Sequence, residues 1–172
     1  HEDWQGTRRT QIVAMAKVTI DKIDRKILRL LVSNARMPFL EIARECGISG
    51  AAIHQRVKKL DEQGVILGSR LVVDSRLLGY DVCAFVGIRV QEPSLEGAAI
   101  DHLRQIPEVV EGHHITGKDN LLVKMYCQDN KHLMNTLAEK IRKIPGVVGT
   151  ETILSLSEAF SRQEDVSHLC DE

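Results

Sequence analysis

Apolar residues recur every three or four positions through the first third of the chain, which predicts short helices. The first predicted helix covers residues 22–34. Its inner face consists of Ile23, Ile27, Leu30, Leu31 and Asn34. Asp21 is a favourable N-cap residue, and Asp24, three positions later, completes the pattern of a capping box. We therefore expect this helix to begin at a fixed position.

The next two predicted helices are joined by a tight turn at Gly47. The second helix covers residues 40–46, with Leu40, Ile42 and Ala43 directed inward. Gly47 ends it, because glycine adopts the left-handed conformation without steric strain. Such a pair of helices is typical of a helix-turn-helix.

The third predicted helix covers residues 49–63. Ser49 caps its start and Gly64 follows its end. Its buried stripe consists of Ile53, Val57 and Leu60. Residues 65–73 are predicted to form the strand hairpin of a winged helix-turn-helix, ahead of a hinge at residues 74–80.

An internal repeat organises the second half of the chain. Residues 104–110 read RQIPEVV and recur 38 positions later as residues 142–148, RKIPGVV. Each copy ends a predicted helix, and its proline opens a turn into a strand. A further strand precedes each helix, at residues 83–90 and 121–128. The order strand–helix–strand, repeated once, predicts a ferredoxin-like βαββαβ domain, so the fold class is α+β.

Alternation along the third predicted strand gives the sheet two unlike faces. Leu121, Val123 and Met125 point to one face, whereas the alternate residues, among them Lys124 and Tyr126, point to the other. Both predicted helices pack on a single face, so the second face is left bare. A bare, partly apolar sheet face predicts a homodimer or a larger assembly.

Charge divides the chain in the same way. The 172 residues carry a net charge of −1, but residues 15–80 hold 12 Lys or Arg against 7 Asp or Glu, a net +5. Residues 81–172 hold 9 against 15, a net −6. A basic front and an acidic back predict two domains, of which the first faces phosphate.

Cysteine spacing and hydropathy indicate the cellular compartment of the protein. The cysteines lie at no zinc-finger or redox spacing, and scattered free thiols fit a reducing cytosol. They are Cys46, Cys83, Cys127 and Cys170. The sequence contains no apolar run of about 18 residues, so no membrane span is predicted. No secretion signal is expected either. Residues 1–20 are predicted to be an N-terminal extension, whose part before Met15 is either an expression remnant or an arm ordered in an oligomer.

The third helix is predicted to enter the major groove of double-stranded DNA. Its N-terminal end would meet base edges, with Gln55 reading adenine and alanine methyl groups contacting thymine. Arg56, Lys58 and Lys59 would hold phosphates or guanine. The predicted DNA-binding residues are Ser49, Gly50, Ala51, Ala52, His54, Gln55, Arg56, Lys58, Lys59 and Arg70. The alternative is an ordinary three-helix bundle with a solvated charged face.

The loop between the two central strands allows two interpretations. It is either a hairpin turn, which glycine and asparagine favour, or an effector pocket at a sheet end where polar groups and backbone donors collect. The predicted effector-binding residues are Thr116, Gly117, Lys118, Asp119 and Asn120.

The neighbouring histidines His113 and His114 fit a structural or ligand-lining role better than a metal site. Adjacent residues of a strand point to opposite faces, so the two cannot grip one metal together. No paired catalytic carboxylates, phosphate-binding loop or nucleophile elbow occurs. We therefore expect no enzyme, no metal and no cofactor.

Together these residues resemble the Lrp/AsnC family, also called feast/famine regulators, over about residues 20–156. The first helix of the family is matched by Ile20-Asp21-x-x-Asp24-x-x-Ile27-Leu28. The helix-turn-helix signature is matched in register by Ala35-Arg36, Glu41-Ile42-Ala43, Gly47-Ile48-Ser49, Arg56-Val57, Leu60 and Gln63-Gly64-x-Ile66-x-Gly68. The hinge and the C-terminal module are matched by Leu78-Gly79-Tyr80, Thr116-Gly117 and the two proline turns.

The resemblance implies dimers that often assemble into octamers, bind palindromic or repeated promoter sites, and hold an amino acid near the loop after the second strand. Two positions depart from the family pattern. The common Gly-x-x-Asp loop ends here in Asn120, with Asp119 before it, so the register shifts by one, the effector differs, or no effector binds. Pro38 stands where a Ser or Thr cap is common.

We therefore predict a cytoplasmic, allosteric transcriptional regulator. Its predicted parts are a DNA-binding domain at residues 21–73, a hinge at 74–80, an effector-binding and oligomerisation domain at 81–158 and a tail at 159–172. One rival is an oligomeric small-molecule-binding module without specific DNA binding. A second rival is an enzyme that turns over an amino acid.

Overall fold

The computed structural model describes residues 18–164 and residue 166. The chain divides into two compact units. The first comprises the residues up to Leu71 together with those from Arg162 onward, and the second spans Val72–Ser161. Most of the predicted N-terminal extension, including Met15, lies outside the described residues, as do Cys170 and the end of the predicted tail.

The described residues of the first unit form a three-helix bundle. Its helices are α1 (Lys22–Ser33), α2 (Phe39–Cys46) and α3 (Gly50–Glu62). Asp21 and Asp24 form the predicted capping box at the start of α1. Gly47 ends α2 in the left-handed conformation with φ 68°, as the tight turn requires. The core of the bundle is built around Ile27, Ile42, Ala43 and Ile53.

The prediction that Leu40 points inward is wrong, because 62% of its surface is exposed. The helix α2 begins one residue earlier than predicted, at Phe39. Its inner side is therefore formed by Ile42 and Ala43, with Phe39 and Cys46 half-buried about one turn to either side. Pro38 stands at the N-cap and makes no side-chain capping bond.

The predicted strand hairpin at residues 65–73 does not form in the part of the chain that the structure describes. Backbone N–H groups of Val65 and Ile66 instead donate to the Leu60 carbonyl, at 2.9 and 3.2 Å. Downstream, Val72 is 93% exposed. A two-stranded hairpin without a third strand or a packed face is marginal in water, which explains why an apolar pattern alone does not produce one here.

The second unit is a four-stranded antiparallel sheet with two helices. The strands are β1 (Val82–Val90), β2 (Val109–His114), β3 (Leu121–Cys127) and β4 (Val147–Ser155), in the order β2-β3-β1-β4. The helices are α4 (Glu96–Arg104) and α5 (Asn130–Thr136), and α5 continues as a π-helical turn, Leu137–Ile141. This arrangement confirms the predicted βαββαβ fold.

The two faces of the sheet differ as the alternation predicts. Side chains from alternate positions of β1 and β3 are buried together with the inner sides of α4 and α5, among them Val86, Val123 and Leu103. On the opposite face, Phe85, Lys124 and Tyr126 are only half-buried. The core therefore lies between the sheet and its helices, and no helix or second sheet among the described residues covers the opposite face.

Candidate DNA-binding surface and effector loop

A cap and a buried stripe fix the helix α3. The hydroxyl oxygen of Ser49 accepts a hydrogen bond from the backbone N–H of Ala52 at 3.2 Å. Ile53 and Leu60 are fully buried, and Val57 between them is half-buried. One side of α3 is thereby committed to the core, so its opposite side is presented to solvent.

The solvent side of α3 carries five of the predicted DNA-binding residues. They are Ala51, His54, Gln55, Lys58 and Lys59, all of them exposed. Lys58 lies 3.8 Å from Glu62, one turn further on, which is a weak surface pair. The side chains of Gln55 and Lys59 make no hydrogen bond or ion pair with any described residue. An amide and an ammonium are thus available to a partner on one helical face.

Surroundings and exposure vary among His54 and the predicted DNA-binding residues outside this group of five. The His54 ring packs edge-on against Phe39 with ring centroids 4.5 Å apart, although His54 stays exposed. Gly50 and Ala52 are half-buried, and Ser49 is occupied as the cap. Arg70 is exposed in the irregular segment after α3.

Arg56 points away from the solvent side and toward the start of α1. One guanidinium nitrogen, Nη1, lies 2.6 Å from Asp21 Oδ2 and 2.8 Å from Asp24 Oδ1. Asp24 has only 8% of its side chain exposed. Backbone hydrogen bonding from Asp24 and the Arg56 guanidinium hold the pKa of Asp21 below its usual value, and the two carboxylates raise the pKa of Arg56.

Sequence spacing contained the signal for this position. Arg56 follows Ile53 by three residues and precedes Leu60 by four, so it lies on the inner stripe of the helix rather than on its outer face. The prediction that Arg56 holds phosphate or guanine stays a prediction, but its guanidinium is already paired with the two carboxylates at the start of α1.

In the loop at residues 116–120, charged side chains have partners within the protomer. The Lys118 ammonium lies 2.8 Å from Glu151 on β4. Asp119 is largely buried, with 11% of its side chain exposed, and lies 3.4 Å from the Arg89 guanidinium. Its carboxylate lies over Gly87, where an added Cβ would come within 2.4 Å of Asp119 Oδ2. Thr116 and Gly117 are exposed.

Both polar atoms of the Asn120 side chain are used by the fold. Oδ1 accepts the backbone N–H of Val90 at 2.8 Å, and Nδ2 donates to Glu96 Oε1 at 3.0 Å. The second carboxylate oxygen of Glu96 lies 3.3 Å from His114 Nδ1. Asn120 thus joins the end of β1 to the start of α4, and Glu96, which sequence reasoning missed, is the shared acceptor.

His113 and His114 are both exposed at the end of β2 and have different carboxylate partners. His113 lies 2.5 Å from Glu111, whereas His114 faces Glu96. Within the described residues, no group of three or more His, Cys, Asp or Glu side chains is arranged to hold a metal ion.

A second charged cluster, missed by sequence reasoning, surrounds Glu108. This carboxylate has 10% of its side chain exposed and lies 2.6 Å from Lys140 and 2.9 Å from His132. Burial alone raises the pKa of Glu108, but hydrogen bonds from Lys140 and His132 outweigh it and lower the pKa to about 2. The signal was a departure from the repeat, since Glu108 stands where the second copy has Gly146.

No helix among the described residues is long and apolar enough to cross a membrane. A shallow depression beside β4 includes none of the residues of the loop at 116–120. It is lined by Arg142, Val147, Val148, Gly149 and Thr150.

Comparisons with known proteins agree with this two-part architecture. An AsnC-type helix-turn-helix domain matches residues 20–61, and an Lrp/AsnC ligand binding domain matches residues 83–165. The regulatory protein AsnC of Haemophilus influenzae is 38% identical over 143 residues, which cover 83% of this chain and 95% of that protein.

Solved structures give the same result. The structure of Escherichia coli AsnC superposes with a TM-score of 0.78 and 35% identity, covering 86% of this chain and 99% of that one. The feast or famine regulatory protein of Mycobacterium tuberculosis, solved in complex with L-methionine, superposes with a TM-score of 0.79 and 26% identity, covering 86% and 99%. Both family domains match, in the order of the two observed units, and the relatives match over most of their length. The chain therefore belongs to the Lrp/AsnC family of transcriptional regulators.

Proposed function

We propose that this regulator binds double-stranded DNA through the solvent side of α3. The observation that carries the proposal is the pair Gln55 and Lys59, which project from a capped, packed helix and have no partner among the described residues. An amide can read adenine bidentately in the major groove, and an ammonium can hold phosphate. Ala51, on the same side, is small enough to let the helix approach base edges.

The test is fluorescence anisotropy with the full chain and duplexes selected from a random pool, over a range of salt concentrations. Lys59→Ala should weaken binding to all duplexes and make the salt slope shallower by about one unit. Gln55→Ala should instead relax the preference at one base pair by about 1–3 kcal/mol. Lys131→Ala, an exposed lysine on α5, is the matched control and should change neither quantity.

A chain that binds no duplex in a salt-dependent way is not a DNA-binding regulator of this kind. That result would favour the rival, a small-molecule-binding oligomeric module whose helix-turn-helix does not read DNA. Turnover of an amino acid without DNA binding would favour the second rival, an enzyme.

The protein also forms a homodimer, which can belong to a larger assembly up to an octamer. The copies meet through the sheet face opposite α4 and α5. Phe85, Lys124 and Tyr126 lie there, with the Lys124 ammonium 5.8 and 5.4 Å from the two ring centroids. Nearby Ile153 is 60% exposed. An exposed apolar patch of this kind is buried when two copies meet about a two-fold axis. Sedimentation of Ile153→Asp should give a smaller species than wild type, whereas a charge added at exposed Met134 on α5 should not.

An amino acid is the proposed effector, held by the loop at residues 116–120. The largely buried Asp119 carboxylate could pair with an ammonium group, and the M. tuberculosis relative binds L-methionine. A thermal-shift screen against the twenty amino acids tests this, because a ligand that binds the folded state raises apparent stability. A shift that survives in Asp119→Asn would contradict the assignment of the carboxylate.

Effector and DNA are coupled if the effector binds two arrangements of the assembly with unequal affinity. By reciprocity, DNA must then change effector affinity by the same factor. Titrating the effector with and without DNA measures that factor. Equal affinities would mean that the ligand does not regulate DNA binding.

A further inference from the structure

The inner side of α3 carries one strongly basic residue that the outer surface does not explain. Arg56 has 31% of its side chain exposed, compared with 76% for Lys58 two positions later. Its direction follows from helix geometry, because it shares the stripe of Ile53 and Leu60. A DNA-facing cation would lie on the opposite side of the helix.

Arg56 closes a hydrogen-bond network at the start of α1 in which every carboxylate oxygen is used. Asp21 Oδ1 accepts the backbone N–H of Asp24 at 2.8 Å, and Asp24 Oδ2 accepts that of Asp21 at 3.2 Å. The two remaining oxygens both accept from Arg56 Nη1. The helix cap and the ion pair are therefore one unit.

Leaving this network would be costly for Arg56. Asp24 is a buried carboxylate, and a buried charge that loses its partner is strongly disfavoured. The capping box alone supplies Asp24 with one backbone donor, which uses only one of its two oxygens. The guanidinium is thus held in place by the same residues that define the beginning of α1.

We propose that Arg56 is a positioning residue, which sets the rotation of α3 against α1 and so aims the solvent side of α3, without touching DNA itself. The inference rests on the proposed DNA-binding function and deepens it. Gln55 is its neighbour in sequence, so a rotation of α3 that followed loss of the pair would misdirect the reading face.

Asp24→Asn separates positioning from direct contact by the sign of its effect. If Arg56 contacts DNA, removing a competing negative charge frees the guanidinium and tightens binding. If Arg56 positions α3, the same change weakens binding, by about threefold or more, although the domain becomes more basic. The variant is nearly isosteric, and a thermal melt verifies that it is folded at the assay temperature.

Arg56→Met supplies a second, independent readout. A positioning role predicts weaker binding with the wild-type salt slope, whereas loss of a phosphate contact makes the slope shallower by about one unit, as in the matched variant Lys59→Met. The double variant Arg56→Met with Asp24→Asn should lose no more affinity than Arg56→Met alone, because the two residues act as one unit.

Unchanged or tighter binding by Asp24→Asn overturns the proposal, as does a salt slope for Arg56→Met that matches that of Lys59→Met. If Asp24→Asn does not fold, Asp21→Asn repeats the sign test, since asparagine serves equally well as an N-cap. A wild-type chain without salt-dependent binding would refute the DNA-binding function instead, and that outcome is distinct from both of the others.

Discussion

The solvent side of α3 and the loop at residues 116–120 are two polar surfaces built in opposite ways. On α3, Gln55 and Lys59 project freely because the contacts that hold the helix lie on its other side. In the loop, Lys118, Asp119 and Asn120 are already engaged with other parts of the protomer. A regular helix separates support from recognition, whereas a loop must use many of the same side chains for both.

The largest loss of stability should result from a substitution on the buried side of α3. Ile53→Ala removes a fully buried side chain from the core of the bundle and should lower its free energy of unfolding by about 2–5 kcal/mol. Urea denaturation followed by circular dichroism measures the loss. Gln55→Ala, two residues away on the solvent side, is the control and should stay within about 0.5 kcal/mol. Similar losses for both would abolish the distinction between the two sides.

The Glu108 cluster should contribute to the free energy of unfolding of the second unit, Val72–Ser161, and this contribution should be lost in acid. The folded pKa of about 2 lies below the ordinary value of 4.5. Its stabilisation is therefore present above pH 4.5 and is lost as the pH falls toward 2, on the order of 2 kcal/mol after allowance for the partly exposed partners. Unfolding of wild type and Glu108→Gln between pH 2 and 6 measures it. Parallel curves for the two proteins would contradict the assignment.

Asn120→Ala should destabilise the sheet unit by about 1–3 kcal/mol, because it leaves the Val90 N–H and a Glu96 oxygen without their partner. The loss should appear without any effector present, as a lower midpoint of urea unfolding. Thr116→Ala, at an exposed position in the same loop, should be nearly neutral. If Asn120→Ala is equally neutral, Asn120 does not support the loop and its role is confined to a ligand.

The smallest effect is expected for Lys118→Ala. Its ion pair with Glu151 joins two exposed side chains, so solvent and salt screen it. The unfolding midpoint should not shift measurably in 0.15 M salt. A clear shift would place Lys118 among the supporting residues and leave the loop with fewer groups for an effector.

Periodicity was sufficient for the inner faces of α3 and β3, although it failed at Leu40 on α2. Ile53 and Leu60 on α3, and Val123 and Met125 on β3, are buried as their spacing predicts. The same rule would have assigned Arg56 to the inner stripe, but its charge suggested the outer face. The position of a residue in the helix determines the direction of its side chain. Its charge determines only that it requires hydrogen-bonding or ionic partners at that place.

Local signals failed where a segment depends on partners distant in sequence. Residues 65–73 have the composition of a strand hairpin, but no strand among the described residues pairs with them. Asn120 and Glu108 are polar residues of types usually found at the surface. They nevertheless form hydrogen bonds with residues 24 and 32 positions away, respectively. Such pairings follow from the sheet topology and not from neighbouring residues.

The sequence by itself determined the order of the three helices and of the elements of the sheet domain, the capping box at Asp21, the tight turn at Gly47 and the two-faced sheet. Each of these depends on residues within a few positions of one another, where φ preferences and side-chain period act directly. The tertiary structure alone decided which polar side chains are free. A side chain forms hydrogen bonds with the groups that folding brings close to it, and these are often distant in sequence. It joined Arg56 to the start of α1 and Asn120 to α4, while it gave Gln55 and Lys59 no partner in the part of the chain that the structure describes.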